Sequence, residues 1–272
     1  MSALKAAVFD WAGTTIDFGS RAPMGAFIEV FRQFGVEIAV AEARQPMGLP
    51  KWDHIRALGD IPRIADAWRQ AHGAAFTDAD ADRIHEVFEP LNARVVTDYA
   101  ELIPGTVETV EALRGRGLKI GSTTGYTRAI MQPLLPLAAE QGYAPDNLVC
   151  AGDLPAGRPS PLMMYKCFLD LAVWPAAAVV NVDDTTPGVR EAAAAGSWAV
   201  GIALSGNAVG LSREELEATS AADIAGLREP AAAMLRDSGA HYVVDSIADL
   251  MPVIEEIEGR LASGELPPPP RR

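Results

Sequence analysis

At four places in the chain, a short apolar run is followed by residues that suit phosphoryl chemistry. These residues are Asp10, Thr124, Arg158 and the pair Asp183 and Asp184. A carboxylate can attack phosphorus or hold a cation, a hydroxyl can donate to a phosphoryl oxygen, and a fixed guanidinium can balance negative charge. Carboxylate oxygens are also ligands that Mg²⁺ prefers. If the fold brings these residues together, they form a site for phosphoryl transfer with bound Mg²⁺.

The elements that must position these residues follow from the pattern of the chain. Short apolar runs are typical of buried parallel strands, and they occur at 5–9, 118–122, 147–150 and 178–182. Helical patterns that can supply the crossovers occur at 106–116, 127–141, 161–171 and 187–195. This alternation predicts an α/β fold with a doubly wound parallel sheet. Because ligands gather at the carboxyl ends of such strands, the four stretches are expected to converge.

A helical insertion interrupts this alternation after the first strand. Strand signals disappear, and helical patterns replace them at 23–34, 50–58, 61–72 and 79–96. The insertion leaves the sheet after the first strand and returns before the second, so we predict a small cap domain that acts as a lid over the strand ends. The predicted division is 1–17 with 100–265 for the α/β core, 18–99 for the helical cap, and 266–272 for a flexible Pro-rich tail.

Composition and charge exclude several classes of protein. The chain has 272 residues, of which 49% are hydrophobic, as in an ordinary globular protein. Its 36 acidic and 23 basic residues leave a net charge of -13, which opposes attraction to nucleic acid or anionic lipid. Two cysteines cannot build a disulfide framework, and no apolar run approaches the roughly 20 residues of a membrane helix. Since the N-terminus lacks the apolar stretch of a secretory signal, we expect a cytoplasmic protein without nucleic-acid or membrane partners.

The sequence resembles the haloacid dehalogenase superfamily over nearly its whole length. The four motifs of that superfamily match, in order, Asp10 to Thr14, Thr124, Arg158, and Asp183 with Asp184. The resemblance implies a haloacid dehalogenase-like core in which Asp10 is the nucleophile and accepts the phosphoryl group. It also implies that the phosphoryl oxygens are held by Thr14, Thr124 and Arg158.

Within that superfamily, the chain resembles the phosphonoacetaldehyde hydrolases, or phosphonatases. The matching segments are Asp-Trp-Ala-Gly-Thr-Thr at 10–15, Pro-Met-Gly-Leu-Pro-Lys at 46–51, His54, Gly-Ser-Thr-Thr-Gly-Tyr-Thr-Arg at 121–128 and Ala-Gly-Arg-Pro at 156–159. The resemblance implies hydrolysis of the P–C bond of phosphonoacetaldehyde to acetaldehyde and phosphate, with Mg²⁺ as cofactor. It also implies a homodimer, for which apolar cap residues such as Met47 and Trp52 offer a face.

Residue 12 separates the candidate reactions. Phosphatases of the superfamily usually carry a second Asp two residues after the nucleophile, which protonates a departing alkoxide, and Ala12 cannot donate a proton. An ordinary phosphate ester is therefore a poor candidate substrate. The resemblance implies that the Ala12 carbonyl instead binds Mg²⁺ beside Asp10 and Asp184. Gly188 stands where the fourth motif often has another Asp, so we expect Asp183 to compensate, directly or through a bound water.

A phosphonate has a carbon leaving group, so its cleavage needs an acceptor for the electron pair of the P–C bond. Lys51 could supply one by attacking the aldehyde, because the protonated Schiff base accepts that pair as an enamine while Asp10 takes the phosphoryl group. The apolar neighbours at 47–50 and Trp52 could lower the pKa of the lysine. The alternative is a solvated lysine at a helix start, and the family resemblance favours the catalytic interpretation.

Further residues are candidates for contact with the substrate. His54 lies three residues after the lysine and could shuttle protons, or it could be a capping or core histidine. The Gly125 amide could donate to an anion, and Tyr126 and Arg128 are expected as pocket walls. Met47 could contact the substrate or simply fill the core.

Two other functions stay open at the level of the sequence. The first is a phosphatase or dehalogenase of the same fold, in which Lys51 is incidental and no imine forms. The second is a binding protein that kept the fold but lost catalysis. The presence of Asp10, Lys51, Arg158 and Asp184 argues against the second.

Overall fold

The computed structural model describes residues 3–269. Six strands lie in this part of the chain: β1 (Ala6–Phe9), β2 (Lys119–Thr124), β3 (Val149–Cys150), β4 (Val179–Asp183), β5 (Trp198–Ile202) and β6 (Tyr242–Val244). The end of the predicted tail, which comprises Pro270, Arg271 and Arg272, lies outside the described residues.

The strands form one parallel sheet in the order β3-β2-β1-β4-β5-β6. The chain runs from β1 outward to β2 and β3, and then returns to the other side of β1 for the remaining strands. Every residue of β1, β4 and β5 is buried, as expected for apolar strands that are covered on both faces. The predicted doubly wound α/β fold is confirmed, and β5 and β6 extend the sheet beyond the four predicted strands.

The register of the sheet brings three strand ends level with one another. Phe9 of β1 pairs with Ser122 of β2 on one side and with Val182 of β4 on the other. The next residues along these three strands are Asp10, Thr123 and Asp183. They therefore lie side by side at the carboxyl edge of the sheet, where parallel α/β proteins bind their ligands.

Five helices between the first two strands form the cap, a name we give to residues 18–99. They are α1 (Ala22–Gln33), α2 (Val40–Arg44), α3 (Lys51–Asp60), α4 (Pro62–His72) and α5 (Asp78–Val95), followed by a 3₁₀ turn at Val96–Tyr99. These helices enclose their own hydrophobic core, in which Phe27, Trp68 and Phe88 are almost fully buried. The helices occupy the predicted insertion, while the bounds of 1–17 with 100–265 and of 18–99 stay a prediction.

Two linkers that lie side by side join the cap to the sheet. Ile16 and Leu102 form an antiparallel bridge, and the Asp17 N–H donates to the Glu101 carbonyl at 3.2 Å. Asp17 has a left-handed backbone with φ of 55°. Its carboxylate accepts hydrogen bonds from two backbone N–H groups at 2.9 Å and so stabilises the start of α1. The chain therefore enters and leaves the cap through one hydrogen-bonded junction.

The remaining helices pack around the sheet. They are α6 (Thr106–Gly115), α7 (Arg128–Glu140), α8 (Leu162–Asp170), α9 (Thr186–Ala195), α10 (Arg213–Glu217), α11 (Ala221–Asp237) and α12 (Leu250–Ala262). Helix α9 shows how the sequence sets their ends, because Thr185 is its N-cap, Pro187 lies in its first turn and Gly196 ends it in the left-handed conformation. None of the helices in residues 3–269 has the length and apolar character that a membrane crossing would require.

Gly59 in α3 allows a test of how tightly the cap is packed. A Cβ at residue 59 would lie 2.1 Å from the Phe76 ring. Gly59→Ala is therefore expected to lower the free energy of unfolding by about 1–3 kcal/mol through overpacking.

Gly226 in α11 is the matched control, because no atom lies within 4 Å of a Cβ built there. Gly226→Ala should raise the free energy of unfolding by about 0.5–1 kcal/mol through helix propensity. Urea denaturation measures the free energy of unfolding of both variants. A Gly59→Ala variant that is more stable than the unsubstituted protein would contradict the close approach of residue 59 to Phe76.

Candidate active site

A small cavity of about 20 Å³ lies between the cap and the carboxyl edge of the sheet. Eight of the residues predicted from the sequence line it: Asp10, Ala12, Met47, Lys51, Thr124, Gly125, Tyr126 and Arg158. The lining is completed by Ser20, Pro23, Gly48 and Thr185. This volume has room for about one water molecule. The cap is therefore closed over the strand ends in this structure.

The Arg158 guanidinium is the centre of a charge network beneath this cavity. Its Nη1 donates to Asp10 Oδ1 at 2.8 Å, its Nε donates to Glu191 Oε2 at 3.0 Å, and its Nη2 lies 3.0 Å from Asp183 Oδ2. Its Nη2 also donates to the Thr123 hydroxyl at 2.8 Å. Burial opposes the charge, but the three carboxylates outweigh burial and raise the pKa of Arg158 above its ordinary value. The cation is therefore permanent and held from several sides.

Asp184 follows β4 directly and lies beside Asp10. Its Oδ2 accepts a hydrogen bond from the Asn207 N–H at 2.7 Å, and its Oδ1 lies 3.4 Å from the Thr14 hydroxyl, which donates to it. The backbone at Gly13 has φ of 87°, and a Cβ there would lie 2.1 Å from Asp184 Oδ2. Glycine is thus needed at residue 13 both for its conformation and for the close approach of the carboxylate.

The residues present fit a divalent cation. Oxygen atoms of Asp10, Asp183 and Asp184 lie within 4.8 Å of one another. Burial and the charges of Asp10 and Asp183 raise the pKa of Asp184 well above its ordinary value. Burial and the charge of Asp183 likewise raise the pKa of Asp10, to about 7, although Arg158 lowers it. A buried group of carboxylate oxygens that repel one another is a donor set that a hard cation such as Mg²⁺ stabilises.

Asp183 occupies the space next to Gly188. Its Oδ1 accepts hydrogen bonds from the Thr185 hydroxyl at 2.7 Å and from the Thr185 N–H at 2.9 Å. A Cβ at residue 188 would lie 1.9 Å from Asp183 Oδ2. The Asp183 carboxylate therefore takes the room that a side chain at residue 188 would need, which gives a physical reason for the glycine in the fourth motif.

Lys51 begins α3 and is only 3% exposed. Its Nζ lies 4.9 Å from the centre of the Tyr126 ring and 5.7 Å from that of Phe27, and its distance to Met47 Sδ is 4.0 Å. Burial lowers the pKa of Lys51 to about 8, although the charge of Asp10 raises it. Of the predicted apolar neighbours Met47 lies beside the amine, Tyr126 and Phe27 add to it, and the alternative of a solvated lysine is wrong.

His54 is buried in the cap and does not line the cavity. Its Nε2 lies 2.8 Å from the Ala43 carbonyl oxygen, and its ring stacks on Phe27 with 3.9 Å between the ring centres. Burial lowers the pKa of His54 well below its ordinary value, and the charge of Lys51 lowers it further. These contacts favour a core histidine, and the role of His54 in substrate binding stays a prediction.

Two other predicted residues lie away from the cavity lining. Thr14 is buried against Asp184, as described above, so its contact with phosphoryl oxygens stays a prediction. Arg128 is exposed and donates to both carboxylate oxygens of Asp153, at 2.8 and 2.7 Å. The prediction of Arg128 as a pocket wall is wrong. Tyr126 lies before the N-cap Thr127, whereas Arg128 is the first residue of α7 and lies on its exposed side.

Glu191 is a residue of the site that the sequence analysis missed. It lies in the alanine-rich helix α9, is fully buried, and contacts both Arg158 and the Thr123 hydroxyl, the latter at 3.3 Å. Burial raises the pKa of Glu191 to about 7, and Arg158 opposes that rise. A lone Glu among small residues, on a helix that follows a strand, is the one signal in the sequence that could have indicated it.

Arg44, at the end of α2, was also missed and joins the cap to the core. Its Nη1 donates to the Gly19 carbonyl at 2.9 Å and to Asn207 Oδ1 at 3.1 Å. Its Nη2 donates to the Gly210 carbonyl at 3.1 Å. Because the Asn207 N–H is bonded to Asp184, this guanidinium connects the cap with a carboxylate of the candidate metal site.

Comparisons with known proteins place the chain in a family. A family model of haloacid dehalogenase-like hydrolases matches residues 4–196. A phosphonoacetaldehyde hydrolase from Paraburkholderia phytofirmans is 51% identical over 267 residues, which cover 98% of this chain and 100% of that protein. A phosphonoacetaldehyde hydrolase from Klebsiella pneumoniae is 51% identical over 269 residues, which cover 98% of this chain and 100% of that protein.

Solved structures agree with this relationship. A phosphonoacetaldehyde hydrolase-like protein from Oleispira antarctica has a TM-score of 0.96 and 46% identity, with 97% of this chain and 96% of that chain covered. A putative β-phosphoglucomutase from Thermotoga maritima has a TM-score of 0.59 and 19% identity, covers 93% of this chain and 99% of its own, and shares the fold alone. The chain belongs to the haloacid dehalogenase-like hydrolases and, within them, to the phosphonoacetaldehyde hydrolase family.

Proposed function

We propose that this protein hydrolyses the P–C bond of phosphonoacetaldehyde to acetaldehyde and inorganic phosphate. The observation that carries the proposal is the buried Lys51 amine in the same cavity as Asp10 and Arg158. A phosphatase or dehalogenase of the same fold has no use for a desolvated amine at this place. The relatives at 51% identity, which bear the name of this activity, support the same substrate.

The reaction begins at the amine. Lys51 Nζ attacks the aldehyde carbon, a C–N bond forms, and water leaves to give a protonated imine. The lowered pKa of Lys51 provides free amine near neutral pH. The Tyr126 hydroxyl is buried and has no hydrogen-bond partner within residues 3–269, so it is available to donate to the substrate. Burial raises the pKa of Tyr126 well above its ordinary value and keeps that proton in place.

Asp10 then attacks phosphorus. A bond forms between an Asp10 oxygen and phosphorus while the P–C bond breaks, and the released electron pair converts the imine into an enamine. Arg158 balances the charge of the phosphoryl oxygens. The Thr124 hydroxyl accepts the Tyr126 N–H at 3.1 Å, so its own proton is free to donate to the phosphoryl group. Ala12 suffices beside the nucleophile because the leaving carbon transfers its electrons to the imine and needs no acid.

Two hydrolyses complete the cycle. Water attacks the aspartyl phosphate on Asp10, which releases inorganic phosphate and restores the carboxylate. The enamine carbon takes up a proton, and water then hydrolyses the resulting imine, which releases acetaldehyde and the Lys51 amine. Both covalent intermediates are therefore cleared by water, and the overall reaction consumes one water molecule.

We infer that Mg²⁺ is held by the carboxylates of Asp10 and Asp184 together with the Ala12 carbonyl. When bound, the ion neutralises charge on the phosphoryl group and on the attacking carboxylate. Asp183 pairs with Arg158. Its proposed role is therefore to orient the guanidinium.

The closed cap has a consequence for substrate binding. A cavity of about 20 Å³ cannot hold phosphonoacetaldehyde. The cap must open to admit the substrate, and its closure brings Lys51 over the strand ends and excludes bulk water.

Two sequence expectations concern the whole protein. The homodimer and the cytoplasmic location stay predictions. Met47 is buried beside Lys51 and so cannot contribute to the expected dimer face. Trp52 is partly exposed, and its Nε1 donates to Asp82 at 2.7 Å.

Borohydride trapping tests the imine. Incubation with phosphonoacetaldehyde and borohydride is expected to leave a reduced adduct on Lys51, which peptide mass spectrometry locates. Lys51→Arg should give no adduct and lower phosphate release by about 10³-fold or more, because a guanidinium does not form the imine. Asp10→Asn should still form the adduct but release no phosphate, since it blocks only the second step. Full phosphate release by Lys51→Arg would reject the proposal.

The pH dependence of trapping tests the burial of the amine. With acetaldehyde and cyanoborohydride, the rate of adduct formation on Lys51 should rise about tenfold from pH 6 to pH 7 and level off above about pH 8. Burial and Arg158 favour the free amine, while the charges of Asp10, Asp184 and Asp17 favour the ammonium. A rate that keeps rising to about pH 10 would indicate a solvated lysine.

Thermal unfolding with and without Mg²⁺ tests the metal site. Saturating Mg²⁺ should raise the unfolding midpoint, because an ion at 100 times its Kd stabilises the folded state by about 2.7 kcal/mol. Asp184→Asn should lose this increase. Glu191→Gln is the matched control and should keep it, since this buried carboxylate contacts Arg158 and is not in the group that could hold a metal ion. An undiminished increase in Asp184→Asn would refute the assignment.

A further inference from the structure

The cap and the core meet closely at Pro50 and Gly157. A Cβ built on Gly157 would lie 2.6 Å from Pro50 Cγ, and the next two atoms that it would meet, at 3.6 and 3.8 Å, also belong to Pro50. Real Cβ atoms essentially never approach another heavy atom to less than 3.0 Å. The proline ring therefore rests on the glycine backbone in a place where even a methyl group would hold the two parts apart.

Further close contacts between cap and core lie along the cap loop 47–50. A Cβ on Gly125 would lie 3.1 Å from the Leu49 carbonyl oxygen and 3.4 Å from the Gly48 carbonyl oxygen. A Cβ on Gly48 would in turn lie 2.3 Å from Thr185 Oγ1 of the core. The loop that leads into Lys51 thus meets the core at three points, each of which a glycine keeps free of a side chain.

Pro50 and Gly157 are the sequence neighbours of the two groups that must act on one substrate. Pro50 immediately precedes Lys51, and Gly157 immediately precedes Arg158. Under the proposed function, Lys51 binds the aldehyde end of the substrate and Arg158 faces its phosphonate end. The contact between Pro50 and Gly157 therefore lies one residue from each binding group, on opposite sides of the closing seam.

We propose that the contact between Pro50 and Gly157 sets the depth to which the cap closes, and with it the spacing between the Lys51 amine and the Arg158 guanidinium. Gly157 is thus a positioning residue that acts through the cap loop. This inference rests on the proposed function for its catalytic consequence, while its claim about closure stands on the packing alone.

The geometry makes Gly157→Ala a selective test. The φ of Gly157 lies outside the left-handed region, so alanine is not strained by the backbone. The three nearest heavy atoms that a methyl group there would meet all belong to Pro50 of the cap, so we expect the core to keep its packing. The variant should fold with an unchanged unfolding midpoint but should fail to close fully. We expect kcat/KM for phosphonoacetaldehyde to fall about tenfold or more.

A second substitution should restore closure. Pro50→Ala removes Cγ and Cδ, so the closest remaining atom of residue 50 to the new methyl group would be Cβ at 3.8 Å, an ordinary contact. The double variant Pro50→Ala with Gly157→Ala is therefore expected to recover most of the lost kcat/KM. Pro50→Ala alone is the reference for the effect of losing the proline. A double variant no better than Gly157→Ala would overturn the proposal.

Closure can also be measured without turnover. Val87 of the cap and Leu169 of the core are 37% and 78% exposed, and both native cysteines are buried, so Val87→Cys with Leu169→Cys accepts a pair of spin labels. Gly157→Ala should lengthen or broaden the measured distance distribution in the full chain with Mg²⁺, and the double variant should restore it. An unchanged distance distribution in Gly157→Ala would refute the claim that the contact between Pro50 and Gly157 sets the depth of closure. If the unsubstituted protein does not cleave phosphonoacetaldehyde, the proposed function fails while this measurement still decides the closure.

Discussion

The Arg158 guanidinium lies among three buried carboxylates, and its charge is what allows them to share one edge of the sheet. Burial raises the pKa of Asp10 and of Glu191 to about 7, with the charge of Asp183 adding to both rises and Arg158 opposing them. Asp184 lies beside Asp10, and burial together with the charges of Asp10 and Asp183 raises its pKa well above its ordinary value. A hard divalent cation stabilises such a group of carboxylate oxygens, so the strand ends and the candidate metal site are parts of one electrostatic arrangement.

The chemistry of the lysine depends on the cap in the same way. Lys51 has a lowered pKa because the closed cap removes its amine from water, while Asp10 in the core opposes that effect. Burial thus favours the free amine at the place where, under the proposed function, it acts together with Asp10 on one substrate. Arg44 ties the same cap to Asn207, whose N–H holds Asp184, so the position of the cap and the position of a candidate metal ligand are connected through hydrogen bonds.

Strands buried on both faces leave uninterrupted apolar runs, which is why most of the sheet and the convergence of Asp10, Thr124 and Arg158 are predictable from the sequence. Strand β5, Trp198–Ile202, carries such a run that the sequence analysis missed, whereas β6 has only three residues, two of them partly exposed, and leaves no such run. Glu191 is not predictable, because a glutamate in a helix ordinarily faces water and only the packing of α9 on the sheet buries it. The outward direction of Arg128 depends on how α7 starts, which spacing along the chain does not determine.

The two linkers of the cap run side by side and are bridged at Ile16 and Leu102. With respect to the sheet, residues 17–101 are therefore a single insertion between two adjacent points, although this insertion has a hydrophobic core of its own. Replacing it by another helical insertion would change a loop length, for which each doubling costs only about 0.6 kcal/mol of closure entropy. Under the proposed function, the strand ends keep the residues that handle the phosphoryl group when this one insertion is exchanged, and the residues that meet the rest of the substrate change without any change in strand order.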